Sequence, residues 1–463
     1  MGNTAEIFKF VRLSTVWLCL IFIPVWLVAW AVGIFIPYFI IKDQSNILFD
    51  VCQSLVPIIA VLVFIPINAM FMVLFERRGL ALFTVRSGPN RVGLDGLLQT
   101  AADAVKLLFK EDITPRGADI AMFTLAPITF FAPSVFAAIP LLAAVTNDHQ
   151  LFHIVNLPTG IFYVLAASSV PVVGIVMGGW ASNNKYSLVG GLRSAAQAIS
   201  YEIPLVLSLI SMCMMAKSLD VVQIANQQAG GILDWNIFGG GALRGIDKFI
   251  ALNLTGNTIE AKTVLDAAYP GGILSYIAAA ALIVCSVVMF ALYLTGACAE
   301  INRIPFDLPE AESELVSGYN TEYSGIKFAI FFLAEFTNLF IVSSIAVVMF
   351  MGGGGNPIPA WLLDPWWPSF ASSVGPIFEP LTKGLMLLDE HTFFPALWVI
   401  AKTYAFVFFA ILIRGTLPRF RIDQLMDFGW KRLIPLSLIV FLVMAFARVL
   451  VNVHLVMPAG GAP

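Results

Sequence analysis

Nine apolar runs divide this chain, each close to the twenty or so residues that a helix needs to cross the hydrocarbon core of a bilayer. They lie near 15–41, 51–75, 119–145, 158–180, 200–217, 273–298, 326–351, 393–414 and 432–454. This pattern predicts an all-α, polytopic membrane helix bundle. Composition agrees, because 59% hydrophobic and 12% charged residues lie far from the balance of a soluble globular domain. The first run is long, contains Pro24 and Pro37 and lacks a small-residue cleavage site. It is expected to be a retained span, with a signal anchor as the alternative.

The net charge of −3 arises from 26 basic and 29 acidic residues, so no basic excess points to nucleic acid. The distribution of the bases says more. Eighteen fall on one face: Lys9, Arg12, Arg77, Arg78, Arg86, Arg91, Lys106, Lys110, Arg116, Lys185, Arg193, Arg303, Lys327, Arg414, Arg419, Arg421, Lys431 and Arg432. Six fall on the other: Lys42, Lys217, Arg244, Lys248, Lys262 and Lys383. Cytoplasmic loops retain Lys and Arg, so the N-terminus is expected in the cytoplasm and the C-terminus outside.

No internal repeat of the transporter kind is present. Two long external segments, 218–272 and 352–391, read as surface insertions without chemistry of their own; the second carries aromatics suited to a membrane interface. The expected organisation is an extra N-terminal span (1–50), a membrane domain (51–454) holding both insertions, and a tail (455–463). Cys19, Cys52, Cys213, Cys285 and Cys298 show no CxxC spacing, and His149, His153, His391 and His454 lie at span ends or on the external side. They read as packing and surface residues, so no metal or haem site is expected.

Charge is concentrated in one connection. Residues 299–315 hold Glu300, Asp307, Glu310, Glu312 and Glu314 with Arg303, between two apolar runs. Carboxylates crowded at a bilayer edge repel one another and lose hydration, which favours exchange of protons near neutrality. Elsewhere, Glu202 follows Tyr201 and is read as opening an apolar span, where a charge near the bilayer centre costs about 2.5–3.5 kcal/mol. The alternative is an acid favoured by a helix N-terminus. Glu335 and Lys402 also fall within apolar runs, either as a structural ion pair or with direct roles.

The connection after the second run contains Glu76-Arg77-Arg78 and the turn Arg86-Ser87-Gly88-Pro89-Asn90-Arg91-Val92-Gly93. Glu76 and Arg77 sit at a span end, where an ion pair can be partly desolvated. In 96–111, Gln99, Asp103, Lys106 and Lys110 form one polar stripe on an otherwise apolar helix. That pattern predicts an amphipathic helix lying in the membrane interface, as an anchor or as the floor of a site for a lipid-soluble substrate.

These motifs, together with Ser182-Asn183-Asn184-Lys185-Tyr186-Ser187, Ser200-Tyr201-Glu202, Pro305-Phe306-Asp307-Leu308-Pro309-Glu310-Ala311-Glu312-Ser313-Glu314-Leu315, Tyr319-Asn320-Thr321-Glu322-Tyr323-Ser324-Gly325 and Arg414-Gly415-Thr416-Leu417-Pro418-Arg419-Phe420-Arg421, closely resemble the NuoH family of bacterial NADH-quinone oxidoreductase. Its mitochondrial counterpart is NADH dehydrogenase subunit 1. The resemblance runs in order from about residue 51 to 450 and departs from the family pattern in the extra N-terminal span and the enlarged external segments.

The resemblance implies an eight-helix core at the heel of respiratory complex I, in the bacterial inner membrane. It implies a chain that binds no cofactor of its own, takes quinone as substrate, and works beside partner subunits carrying FMN and iron-sulfur clusters. By matching motif, Glu76, Arg77 and Asp103 lie near the quinone entrance, and Arg303, Arg414 and Arg419 either steady the reduced head group or contact carboxylates of partner subunits. Glu202, Glu300, Asp307, Glu310, Glu312, Glu314 and Glu322 fall on a proton path that couples quinone reduction to pumping. The expected partners are the peripheral quinone-site and terminal-cluster subunits and the small membrane subunits. Alternatives are an anchor subunit of a related membrane-bound hydrogenase, a quinone reductase with another electron donor, or an autonomous ion transporter.

Overall fold

The computed structural model describes residues 47–145, 157–228, 231–240, 273–309, 316–357 and 393–456. The expected span 15–41, the acids Glu310, Glu312 and Glu314, all four histidines except the backbone of His454, and most of both external segments lie outside them. The helices are α1 (Ile47–Phe83), α2 (Gln99–Phe109), α3 (Ile120–Val145), α4 (Gly160–Ser169), α5 (Pro171–Ala181), α6 (Lys185–Ala216), α7 (Val221–Asn226), α8 (Ile273–Glu300), α9 (Gly325–Phe350), α10 (Phe393–Thr416), α11 (Ile422–Phe428) and α12 (Ile434–Val456). Among the described residues there is no strand, and seven helices are long and apolar enough to cross a membrane. The 37-residue α1 contains the expected second span.

Helix α9 occupies the centre, with 72% of its apolar window buried, whereas the C-terminal helix buries only 28% and presents most of its surface outward. Lipid is as apolar as Leu, so helices in a bilayer gain from close backbone approach at small residues. The chain uses glycine in this way: a Cβ on Gly174 of α5 would come within 2.7 Å of the Phe130 nitrogen of α3, and one on Gly190 of α6 within 2.8 Å of the Gly318 Cα. Aromatic packing adds to it, with Phe123 stacked on Tyr323 at 4.1 Å and Tyr323 edge-on to Phe331 at 4.8 Å.

Both ends of α9 are tied. At its start, Ser324 Oγ accepts from Ile113 N–H at 2.8 Å and Lys327 pairs with Asp112 at 2.9 Å. At its other end the terminal carbonyls are taken up by side chains. Gln228 Nε2 donates to Val348 O and Met349 O at 3.2 and 3.4 Å, and Asn236 Nδ2 donates to Met349 O at 2.8 Å.

Two expectations need correction. The span read as 200–217 is the last part of the 32-residue α6, which starts at Lys185 with Asn184 as its cap, Oδ1 accepting from Tyr186 N–H at 3.0 Å. Its first half is too polar to register as a span because Ser187, Ser194 and Gln197 serve internal contacts and are buried. The span near 158–180 stands as Gly160–Ala181, with α4 and α5 meeting at Val170-Pro171, where proline supplies no N–H to the helix ladder and Val170 keeps a helical backbone. The external segments are not mere surface insertions: Asp234, Trp235, Asn236 and Gly352 to Gly355 are buried, and Ile232 N–H donates to Pro357 O at 3.0 Å, joining the two segments.

Candidate functional site

Glu76, Arg77 and Arg78 are consecutive on α1, so their side chains leave the helix about 100° apart and reach three different places. Glu76 turns inward. Its two carboxylate oxygens accept from Arg303 Nη1 at 3.0 and 2.9 Å, and Arg414 Nη1 of α10 bonds the same carboxylate. Glu76 is 7% and Arg303 9% exposed, and the Arg303 guanidinium lies 4.4 Å from the Phe336 ring centroid on α9. Two cations on one buried acid make a knot joining α1, the 301–309 loop and α10.

Arg77 points to α2 and donates to Asp103 Oδ2 at 2.7 Å, while Lys106 reaches Asp103 Oδ1 at 3.3 Å. Partial burial pushes the Asp103 carboxyl up, but the hydrogen bonds and charges of Arg77 and Lys106 prevail and hold it below the usual carboxylate range. Thr100 and Asp103 thus face the protein, while Leu98, Val105, Leu108 and Phe109 are exposed. That is the reverse of a helix on a soluble protein and agrees with an interfacial helix. Arg78 is buried, donates from Nη2 to Pro89 O at 2.9 Å, and so fixes the turn 86–93 against α1.

The acidic connection is described from Glu300 to Pro309 and is clamped on two sides. Gln197 of α6 donates from Nε2 to Ala299 O at 2.8 Å, Asn302 Oδ1 at 3.1 Å and Phe306 O at 2.8 Å. From the other side Arg419 donates to Asp307 Oδ2 at 2.9 Å and Phe420 N–H donates to Pro305 O at 3.2 Å. Phe306 fills the space between, 5.3 Å from the Tyr201 ring and 5.7 Å from Phe420.

Glu202 lies seventeen residues beyond Lys185, in the middle of α6, and not at a helix start. The helix-terminus reading of this acid therefore falls. Its carboxylate is close enough to Glu300, at the end of α8, for their charges to interact. Next to it, Tyr201 donates its hydroxyl to Leu425 O at 2.8 Å, which fixes the register of α6 against α11. Glu322 stands apart from this group. It accepts from Asn184 Nδ2 at 2.6 Å and borders an open cleft of about 480 Å³ that is also lined by Pro115, Gly117, Ser182, Asn183 and Lys185.

Glu335 and Lys402 do not pair with each other. Glu335 Oε1 accepts from Tyr319 at 2.8 Å, whereas Lys402 Nζ donates to three backbone carbonyls, those of Met351, Gly353 and Gly355, at 2.9, 3.0 and 2.8 Å. Each already has partners, so a bridge would leave those groups unmet. The arginines Arg303, Arg414 and Arg419 all find carboxylates within this chain, a third possibility beside the two considered from sequence. Gln197 and Tyr319 were not singled out as sequence candidates. Gln197 carries a signal in retrospect, a lone amide in a helix otherwise rich in small and apolar residues; Tyr319 lies in the quoted Tyr-Asn-Thr-Glu segment.

Comparison with known proteins agrees with this architecture. A family model described as NADH dehydrogenase matches residues 56–445. The H subunit of the NADH-quinone oxidoreductase of Dehalococcoides mccartyi (strain CBDB1) is 39% identical over 385 residues, covering 83% of each chain. The multi-pass helix bundle and these matches together show that the chain belongs to the NADH dehydrogenase family, as a NuoH-type membrane subunit of the NADH-quinone oxidoreductase complex.

Proposed function

We propose that this chain forms the membrane side of the quinone tunnel and chamber and passes the effect of quinone reduction to the pumping machinery. One observation carries the reading: a single short loop bears both ends of the link. It begins at Glu300, whose carboxylate lies within range of the charge of Glu202, and three residues on it places Arg303 on Glu76 beside the interfacial helix. A change of charge near Glu76 would thus pull on the carboxylate pair through a few bonds of backbone.

In this reading α2 lies at the quinone entrance with Glu76, Arg77 and Asp103, its exposed apolar face suiting an isoprenoid tail. Arg303, Arg414 and Arg419 set the potential of the chamber and hold the loop. Glu202, Glu300, Asp307, Glu310, Glu312, Glu314 and Glu322 take up and relay protons. Electrons come from FMN and iron-sulfur clusters in partner subunits, and this chain contributes protein walls and acids only. Its N-terminus lies on the cytoplasmic side of the bacterial inner membrane, as the excess of Lys and Arg on that face favours.

The test is Glu202→Gln in the assembled enzyme, with quinone reductase activity and proton pumping measured on the same preparation. Pumping should fall while reduction continues. Normal values of both would remove Glu202 from the path.

A further inference from the structure

Helix α2 is anchored to α1 in its first half by Arg77 on Asp103, and the strip that follows its last residue, Lys110-Glu111-Asp112-Ile113, is anchored separately on the first turn of α9. Ser324 Oγ accepts from Ile113 N–H at 2.8 Å and donates to Glu111 O at 3.3 Å, so one hydroxyl serves two backbone groups of the strip. Gly325 lets the strip come close. At φ +55° it takes a conformation that glycine enters freely, and a Cβ there would stand 3.0 Å from Lys110 O. Lys327, two residues on, pairs with Asp112 at 2.9 Å, and its Nζ lies 5.0 Å from the Phe123 ring centroid of α3. The Lys327 side chain is 12% exposed and that of Asp112 39%. The cation is the sheltered partner, so the pair escapes much of the screening that weakens surface ion pairs.

The helix between these anchors has 11 residues, too few to hold a helical shape without outside support. Its order therefore depends on what its ends are tied to. Along one face, Leu98, Val105, Leu108 and Phe109 are 54%, 50%, 63% and 87% exposed, and this apolar strip runs about 16 Å from end to end. A long isoprenoid tail laid on it uses the whole length, whereas a short-chain quinone reaches only part. Release of the far end of α2 would take the surface away from the long tail and leave the short one little changed.

We propose that Lys327 is a positioning residue for long-tailed quinone: with Asp112 and Ser324 it straps the C-terminal end of α2 to α9 and keeps the apolar face of α2 in line for an isoprenoid tail. This role rests on the reading of α2 as the quinone entrance. Asp103→Asn, which frees the other end of the same helix, is the reference that separates failure of that reading from failure of the strap.

The complete enzyme carrying Lys327→Met, Lys327→Arg, Asp112→Asn or Asp103→Asn is reconstituted into liposomes, and quinone reduction is followed with a long-tailed and a short-chain quinone of the same head group. Lys327→Met and Asp112→Asn should raise KM for the long-tailed quinone several-fold, with kcat and the KM for the short-chain quinone at parental values. Lys327→Arg, which keeps the charge beside Asp112, should behave as the parent. Hydrogen exchange of residues 106–113 in the solubilised complex should quicken in Lys327→Met and not in Lys327→Arg. Unchanged exchange overturns the strap. An equal rise in KM for both quinones overturns it too and assigns the pair to folding alone, as does a tail-dependent KM in Asp103→Asn that Lys327→Met lacks. Tail dependence in neither variant overturns the entrance reading and the role of Lys327 with it. Should Lys327→Met fail to assemble, Asp112→Asn, altered at the more exposed partner, decides by the same outcomes.

Discussion

Arg303 and Glu76 stand 227 positions apart in the sequence and meet through both carboxylate oxygens, at 3.0 and 2.9 Å. Arg414 shares the same acid, so one buried carboxylate is held between two arginines, of which Arg303 is buried with it. Removing one member of a buried ion cluster strands the others, which typically costs about 3–5 kcal/mol. Glu76→Leu should therefore lower the thermal stability of the detergent-solubilised complex and its yield on purification. The double variant Glu76→Leu/Arg303→Met should recover part of the loss, because it also removes one of the two guanidiniums that Glu76 holds.

Asp103 should respond differently, because its contacts are more exposed. Its carboxyl titrates below the ordinary value of 3.8, as Arg77 and Lys106 outweigh the effect of burial. A depressed folded-state pKa stabilises above the unfolded value and is lost as pH falls through the folded one. Docking of α2 on α1 should be unchanged across neutral pH and loosen only in the acid range below 3.8. Hydrogen exchange of residues 99–109 reads this directly. Asp103→Asn should give the loosened state at all pH values, at a modest cost of about 0–1 kcal/mol.

Gln197 holds three acceptors of the acidic connection at once. Leucine in its place fits a membrane helix but removes the amide that ties α6 to the loop; the Ala299 and Phe306 carbonyls keep the Asn302 and Leu308 N–H groups, so the loss falls on Asn302 Oδ1, at about 1–3 kcal/mol if water does not rescue it. Gln197→Leu should make the connection around 301–316 more sensitive to protease and slow quinone reduction. Unchanged protease sensitivity would show that the clamp from Arg419 and Phe420 is sufficient.

Gly190→Ala tests packing without altering charge. The added methyl would sit 2.8 Å from the Gly318 Cα, and backbone on both sides has nowhere to go. Overpacking of this kind costs about 1–3 kcal/mol. Reduced assembly is expected, with the surviving complex retaining its activity per molecule.

The helices were legible because a bilayer demands long apolar runs, and the sequence supplies them. Boundaries failed where polarity serves internal contacts: Ser187, Ser194 and Gln197 look like solvent-facing residues in a window of sequence, yet each is buried in α6. At the site, Glu76 is recognisable from its place at a span end, but its partners come from a connection and a helix far along the chain, and no local pattern encodes that meeting. The partners of Lys402 are hidden in the sequence for a related reason. Its ligands are carbonyls of a glycine run, and glycine-rich sequence reads as linker whether or not its backbone is pointed at something.

Helix α9 has a mechanical consequence for any account of coupling. Ser324 and Lys327 fasten its first turn to the 111–113 segment, and Gln228, Asn236 and Lys402 fasten the carbonyls at and just beyond its last. A piston needs a free end, and this helix has none. Under the proposed function, motion between the quinone side and the interior acids goes around α9 as a fixed axle, carried by the less buried helices or by the short connections that hang from them.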